Sequence, residues 1–141
     1  YMTNVVADGV QNVLAADLNW NPSYSYSELP AEYEGKEVPE HWNVMLQKVG
    51  PVEKGYPHFN HVYLANVKAT NAKQFISASG WNDSLTLNDF TLYNLDVEAE
   101  KAGIVAHTKK FRLTDIKLKI SDNSQIEFNK NSQLKKNIRY E

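Results

Sequence analysis

The sequence predicts an all-β fold, a right-handed parallel β-helix of about four coils, with one long insertion that contains a short helix. Three observations predict it. A strand-like motif recurs four times, each copy carries an Asn or Asp at the same place, and a further short strand follows each copy. Residues 1–130 read as coils with the insertion at 18–59, and residues 131–141 as a polar tail.

The first strand pair of each coil is written in the motif. "MTNVVA" places Met2, Asn4, Val5 and Ala7, and "VYLANVKA" places Val62, Leu64, Asn66, Val67 and Ala69. "FTLYNLDV" places Phe90, Leu92, Asn94, Leu95 and Val97, and "FRLTDIKL" places Phe111, Leu113, Asp115, Ile116 and Leu118. Period-2 alternation marks a strand with one buried face. The Asn or Asp shifts the apolar phase by one residue, which would turn every later side chain to the wrong face unless the chain bends there. Asn and Asp tolerate the left-handed conformation and hydrogen-bond nearby backbone, so each copy reads as strand, sharp bend, strand.

The third strands come next. They are Asn12–Asp17, Gln74–Ser79, Gly103–Thr108 and Gln125–Lys130, reached across the polar turns "DGV", "TNAK", "EAEKA" and "SDNS". The spacing is 28 residues from Asn66 to Asn94 and 21 from Asn94 to Asp115. Three short strands per repeat at this period predict stacked coils around a narrow core. The competing arrangement is a β-sandwich with the Asn residues as hairpin turns. It would favour Asn-Gly or Asp-Gly steps, and Asp8-Gly9 is the only one.

The insertion holds all five prolines and the aromatics Trp20, Tyr24, Tyr26, Tyr33, Trp42 and Tyr56. Pro39 suits a first helical turn and Glu40 the positive helix end. Trp42, Met45, Leu46 and Val49 would share one face, and Gly50-Pro51 stops the helix. Most of these rings would fasten the insertion to the coils. Trp20, Tyr24 and Tyr26 follow a coil strand directly and are the candidate sugar-binding residues, because aromatic faces stack on the C–H surface of sugar rings.

Composition bounds the chemistry. The 141 residues suffice for one domain and little more, and the net charge of -2 does not point to nucleic acid. There is no cysteine, so disulfides and thiolate metal sites are excluded. No apolar run approaches the roughly 20 residues of a membrane span, and no signal peptide is visible. His58 and His61 are three apart, on opposite faces of a strand, while His41 falls on the helix and His107 ends a strand. No metal or other cofactor is expected from that scatter. Ser23, Ser25 and Ser27 lack a nucleophile context. Asn82-Asp83-Ser84 fits a glycosylation sequon.

The runs "NVVADGVQNVLAADLNWNPSYSYSELPAEYEGKEVPEHW", "YPHFNHVYLANVKATNAKQFISASG" and "LTLNDFTLYNLDVEAEKAGIVAHTKKFRLTDIKLKI" resemble the C-terminal coils of family 28 glycoside hydrolases. These are the polygalacturonase-like enzymes of pectin degradation, and the likeness is to their Bacteroidetes branch. It spans nearly the whole chain through coil-repeat motifs. It implies hydrolysis of α-1,4-galacturonosyl links with inversion, by aspartates acting as acid and base. The family carries these in Asn-Thr-Asp, Asp-Asp and Gly-His-Gly, with Arg-Ile-Lys for the substrate carboxylate. None of the four occurs here. No catalytic residue is therefore assigned, and activity of this chain alone is not expected. The resemblance also implies a tyrosine near the scissile sugar; no motif here matches it, and Trp20 or Tyr24 is a candidate for its place.

Three readings of function follow. The chain is the rear of a pectin-degrading hydrolase that completes and caps the β-helix, periplasmic or secreted, with pectic polysaccharide or oligogalacturonide as partner. Alternatively it is a stand-alone carbohydrate-binding β-helix module, or a structural element without ligand. Met2, Val5 and Ala7 would face water at an uncapped first coil, which predicts end-to-end self-association.

Overall fold

A computed structural model describes residues 1–18, 29–47, 50–51 and 56–141. Chain contacts divide it into two units, residues 1–18 with 58–141, and residues 19–57. The first unit holds every described strand. These are β1 (Met2–Asp8), β2 (Asn12–Asp17), β3 (Asn60–Ser79), β4 (Leu87–Ile120), β5 (Glu127–Ser132) and β6 (Lys135–Tyr140). The fold is all-β, and each described pairing is parallel. β1 and β2 lie on β3, β3 lies on β4, and β4 carries both β5 and β6. A β-sandwich needs antiparallel sheets joined by hairpins, so that arrangement does not fit.

The register shows how the chain travels. Val62 lies beside Phe90, and Ile104 beside Glu127, so a strand returns alongside itself after one repeat. Drawn straight, the 34 residues of β4 would span on the order of 110 Å. Yet Phe90 and Phe111, both within β4, stack with ring centroids 5.4 Å apart and planes 12° from parallel. The Ser121 N–H donates to the Ala99 carbonyl at 3.0 Å just beyond its end. The strand therefore winds back beside its own earlier part.

Left-handed residues make the turns. Asn4, Asn66, Asn94 and Asp115, the four bends expected from the motif, have φ of 58, 54, 55 and 54°. For an L-residue this conformation costs roughly 1–2 kcal/mol, which the short polar side chain offsets by hydrogen bonding. Here the bonds run between repeats. Asn94 Nδ2 donates to Asn66 Oδ1 at 2.7 Å, and Asn66 Nδ2 donates to Asn4 Oδ1 at 3.1 Å. Further left-handed corners lie at His61, Asn71, Asp89, Lys110 and Gln133. Gly103 is required by space as well as by its φ of 103°, since a Cβ there would lie 1.8 Å from the Ile76 carbonyl oxygen.

Between bends the apolar positions stack into rows. Leu64 lies beside Leu92, Val67 beside Leu95 and Ala69 beside Val97, all buried. Phe75, Ile76, Phe90, Phe111 and Leu113 are fully buried. Each such large side chain contributes about 1.5–3 kcal/mol by leaving water.

Three expectations need correction. The turns "TNAK" and "EAEKA" do not end strands, because β3 and β4 run through them, with only a register shift between Ala69 and Ala72. Segment 131–141 is not a tail. Its β6 pairs with β4, placing Arg112 beside Lys135 and Ile116 beside Ile138. Leu134 and Ile138 pack on the core, two anchors that the basic surroundings hid. The helix, α1 (Glu40–Met45), begins after Pro39, which is its N-cap rather than a first-turn residue. No α1 residue is fully buried, but Trp42, Met45 and, at its end, Leu46, on the expected apolar face, are half-buried while His41, Asn43 and Val44 are exposed, and the Tyr33 ring approaches Trp42 with centroids 6.2 Å apart. Val49 lies outside the described residues.

Candidate functional site

The strand stretches that precede the Asn bends turn one face inward and one outward. Inward go Leu64, Leu92 and Leu113. Outward, in register, go Tyr1, Tyr63, Thr91, Arg112 and Lys135, followed one step later by Tyr93 and Thr114. In-register parallel strands lie about 4.8 Å apart, so this is a continuous lane across the sheet. Its first part is aromatic: Tyr1 and Tyr63 have ring centroids 5.6 Å apart. Its last part is cationic.

Asp89 organises the middle of the lane. Arg112 Nη1 donates to Asp89 Oδ1 at 2.8 Å and to Thr91 Oγ1 at 3.3 Å. The Nδ1–H of His61 donates to Asp89 Oδ2 at 3.0 Å. His61 and Asp89 can meet because both sit at left-handed corners of adjacent repeats. The Arg112 guanidinium, then the His61 ring, hold the Asp89 carboxyl below the usual aspartate range. Among the described residues only Nη1 of Arg112 is engaged, so its Nε and Nη2 edge is open.

Two other carboxyls are shifted the same way. Asp8 accepts from Thr70 Oγ1 and Asn71 Nδ2, both at 2.7 Å, and these bonds lower its pKa. Asp122 is lowered by Ser124. A general acid for glycoside cleavage needs a raised pKa, so none of the three suits that role. His107 pairs with Asp83 through Nδ1 at 2.9 Å. Among the described residues no group of three or more His, Cys, Asp or Glu side chains could hold a metal ion.

The two ends of this unit differ. At β1 and β2 the core is open: Met2, Val5, Val10, Val13, Phe59 and Val62 line a cavity of about 520 Å³. Met2 is 60% exposed and Val6 83%. Among the described residues β1 and β2 each pair on one side only, with β3. At β5 and β6 the exposed residues are mostly polar, with the cations Lys130, Lys135, Lys136 and Arg139 among them. Ten of the fifteen Lys and Arg residues, but four of the seventeen Asp and Glu, fall at or after Lys101. Lysines along an edge are a common guard against further strand pairing.

Trp20, Tyr24 and Tyr26, the residues singled out from sequence, lie outside the described residues. The lane was missed. Its signal was present in the positions between the apolar ones of the repeat, where Tyr63, Thr91 and Arg112 align. The His61–Asp89 contact joins residues 28 apart at corners, where alternation does not apply. No protein-family model matches the chain, and neither a curated protein nor a solved structure matches it.

Proposed function

We propose that the chain forms the C-terminal coils of a right-handed parallel β-helix in a pectin-degrading hydrolase of polygalacturonase type. In that role it completes and closes the helix and supplies no catalytic acid or base. The observation that carries this reading is the difference between the two ends. The β1 and β2 edge, with its apolar cavity, suits further coils stacked upon it. The β5 and β6 edge, lined with lysines, suits termination. The Asn4, Asn66 and Asn94 column supports the β-helix itself, because each bend bonds to the next repeat. The family resemblance of the coil motifs supports the pectic substrate of the whole protein, and a polymer of the cell exterior implies a periplasmic or secreted location.

A second reading, a stand-alone carbohydrate-binding module, is favoured by the outward lane of Tyr63, Thr91 and Arg112. The coding sequence upstream of Tyr1 separates the two. The first reading expects an open frame that encodes Asn-Thr-Asp, Asp-Asp, Gly-His-Gly and Arg-Ile-Lys. A start codon or a signal peptide abutting Tyr1 overturns it and leaves the second.

A further inference from the structure

We infer that the corner formed by Lys109, Lys110, Lys130, Lys135 and Lys136 docks the protein on an anionic lipid surface. This corner lies at the opposite end of the strand order from β1 and β2, so coils stacked on that edge leave it uncovered.

The chain separates its charge. No Asp or Glu occurs between Glu100 and Asp115, or between Glu127 and Glu141. Strand pairing brings these two acid-free stretches together: Thr108 lies beside Asn131, Lys109 beside Ser132 and Arg112 beside Lys135. Lys110 and Lys130 are both left-handed, which sets them at bends of the backbone. All five lysines are exposed, and none makes an ion pair among the described residues. Arg112 is not counted with them, because Asp89 holds it. Like charges gathered on adjacent strands repel one another, and an anionic partner relieves that repulsion.

Guarding an edge accounts for only part of the cluster. It explains Lys135 and Lys136 on β6. It does not explain Lys109 and Lys110, because β4 is already paired with β5 and β6 on this flank.

Residue type and neighbours decide the partner. Every free cation of the corner is a lysine, a mobile point charge, rather than an arginine, whose fork recognises a single carboxylate or phosphate. The corner thus matches diffuse charge better than one anion. Beside it the end of the stack is apolar: Phe128, Leu134 and Ile138 are half-buried. Phe128 and Ile138 line a cavity of about 240 Å³ with Tyr140, which is 39% exposed. Lys136 Nζ lies 4.6 Å from the Phe128 ring centroid, so its stem covers apolar surface while its charge stays in water. Lysines around an apolar patch are the composition of a membrane-surface contact. A single-stranded nucleic acid would instead stack its bases on open aromatic faces, and Lys136 already occupies the Phe128 ring. No described helix is long and apolar enough to cross a bilayer, so the contact is peripheral.

The test is sedimentation of the full chain with vesicles of phosphatidylcholine and phosphatidylglycerol in equal parts, and with vesicles of phosphatidylcholine alone. The chain should bind the first and not the second, and near-molar salt should release it. Lys109→Gln and Lys135→Gln should each lower partitioning about fivefold, the effect of losing one cation near an anionic surface. Lys68→Gln, at an exposed lysine of β3 away from the corner, should leave partitioning unchanged. The replaced lysines are all exposed, and circular dichroism should show each variant folded as the parent is. No binding to the mixed vesicles, equal binding to phosphatidylcholine alone, or no loss in the two corner variants overturns the inference. So does an equal loss in Lys68→Gln, or tighter binding of a short single-stranded DNA or of poly-glutamate, the stand-in for an acidic protein.

Discussion

Asn94 Nδ2 lies 2.7 Å from Asn66 Oδ1, and both residues are left-handed. One side chain thus does two things: it makes a strained bend tolerable and ties that bend to the next repeat. Asn66 is the most connected member, accepting from Asn94 and donating to Asn4. Asn66→Ala loses both bonds and keeps the strain, which adds to a loss of about 2 kcal/mol in unfolding free energy. Asn66→Gly removes the bonds and also the strain, so it should cost less. Urea denaturation of the two variants checks the order.

Close approach makes a sharper prediction at the glycines. A Cβ at Gly103 would lie 1.8 Å from the Ile76 carbonyl oxygen, and one at Gly80 would lie 2.3 Å from that of His107. Backbone cannot yield as a side-chain tip does. Gly103→Ala should therefore leave little folded protein by circular dichroism. Gly35→Ala, with nothing within 4 Å, should lose only about 1 kcal/mol for its left-handed φ.

The stacked rings Phe90 and Phe111 are fully buried in the row that links repeats. Phe111→Ala should cost about 3–5 kcal/mol, since the narrow core cannot close over the void. A domain of this size has roughly 5–15 kcal/mol in total. The variant should thus melt many degrees lower in a thermal scan.

Acid should weaken the fold in a defined window. Asp89, Asp8 and Asp122 all titrate below the ordinary value of 3.8 when folded. The unfolded chain then takes up protons first as the pH falls. Their contribution is fully present above the ordinary aspartate range and is lost as the pH drops through the lower folded values. Denaturation midpoints should fall below pH 4, and Asp89→Asn should flatten part of that slope.

The open end gives a solution prediction. With Met2 exposed beside an apolar cavity and Val6 exposed on the outward face of the same strand, the chain alone should self-associate as concentration rises. Light scattering should show this, and Met2→Lys with Val6→Lys should suppress it. A strictly monomeric chain at high concentration contradicts the prediction.

Legibility in the sequence followed how few residues can do a given job. The bends at Asn4, Asn66, Asn94 and Asp115 were readable because few residue types accept a positive φ. Left-handed His61, Lys110 and Gln133 were not, since those types carry no such signal and depend on their neighbours. Strand β6 was hidden because Lys135, Lys136 and Arg139 outweigh Leu134 and Ile138 in composition. Arg112 was read only for lacking the Arg-Ile-Lys context. Its partner Asp89 belongs to the previous repeat, and local sequence does not show that contact.

The account rests on repeats that stack in parallel register, and one measurement reaches this most directly. Lys68 and Asp96 are exposed register partners on β3 and β4, and the chain has no cysteine of its own. Parallel neighbours about 4.8 Å apart fall within disulfide reach, whereas residues two positions out of register fall at or beyond its limit. Under mild oxidation Lys68→Cys with Asp96→Cys should cross-link within one chain, and Lys68→Cys with Glu98→Cys should do so far less. Equal cross-linking of both pairs, or none in the first, would contradict the stacked-repeat fold and every assignment built on it.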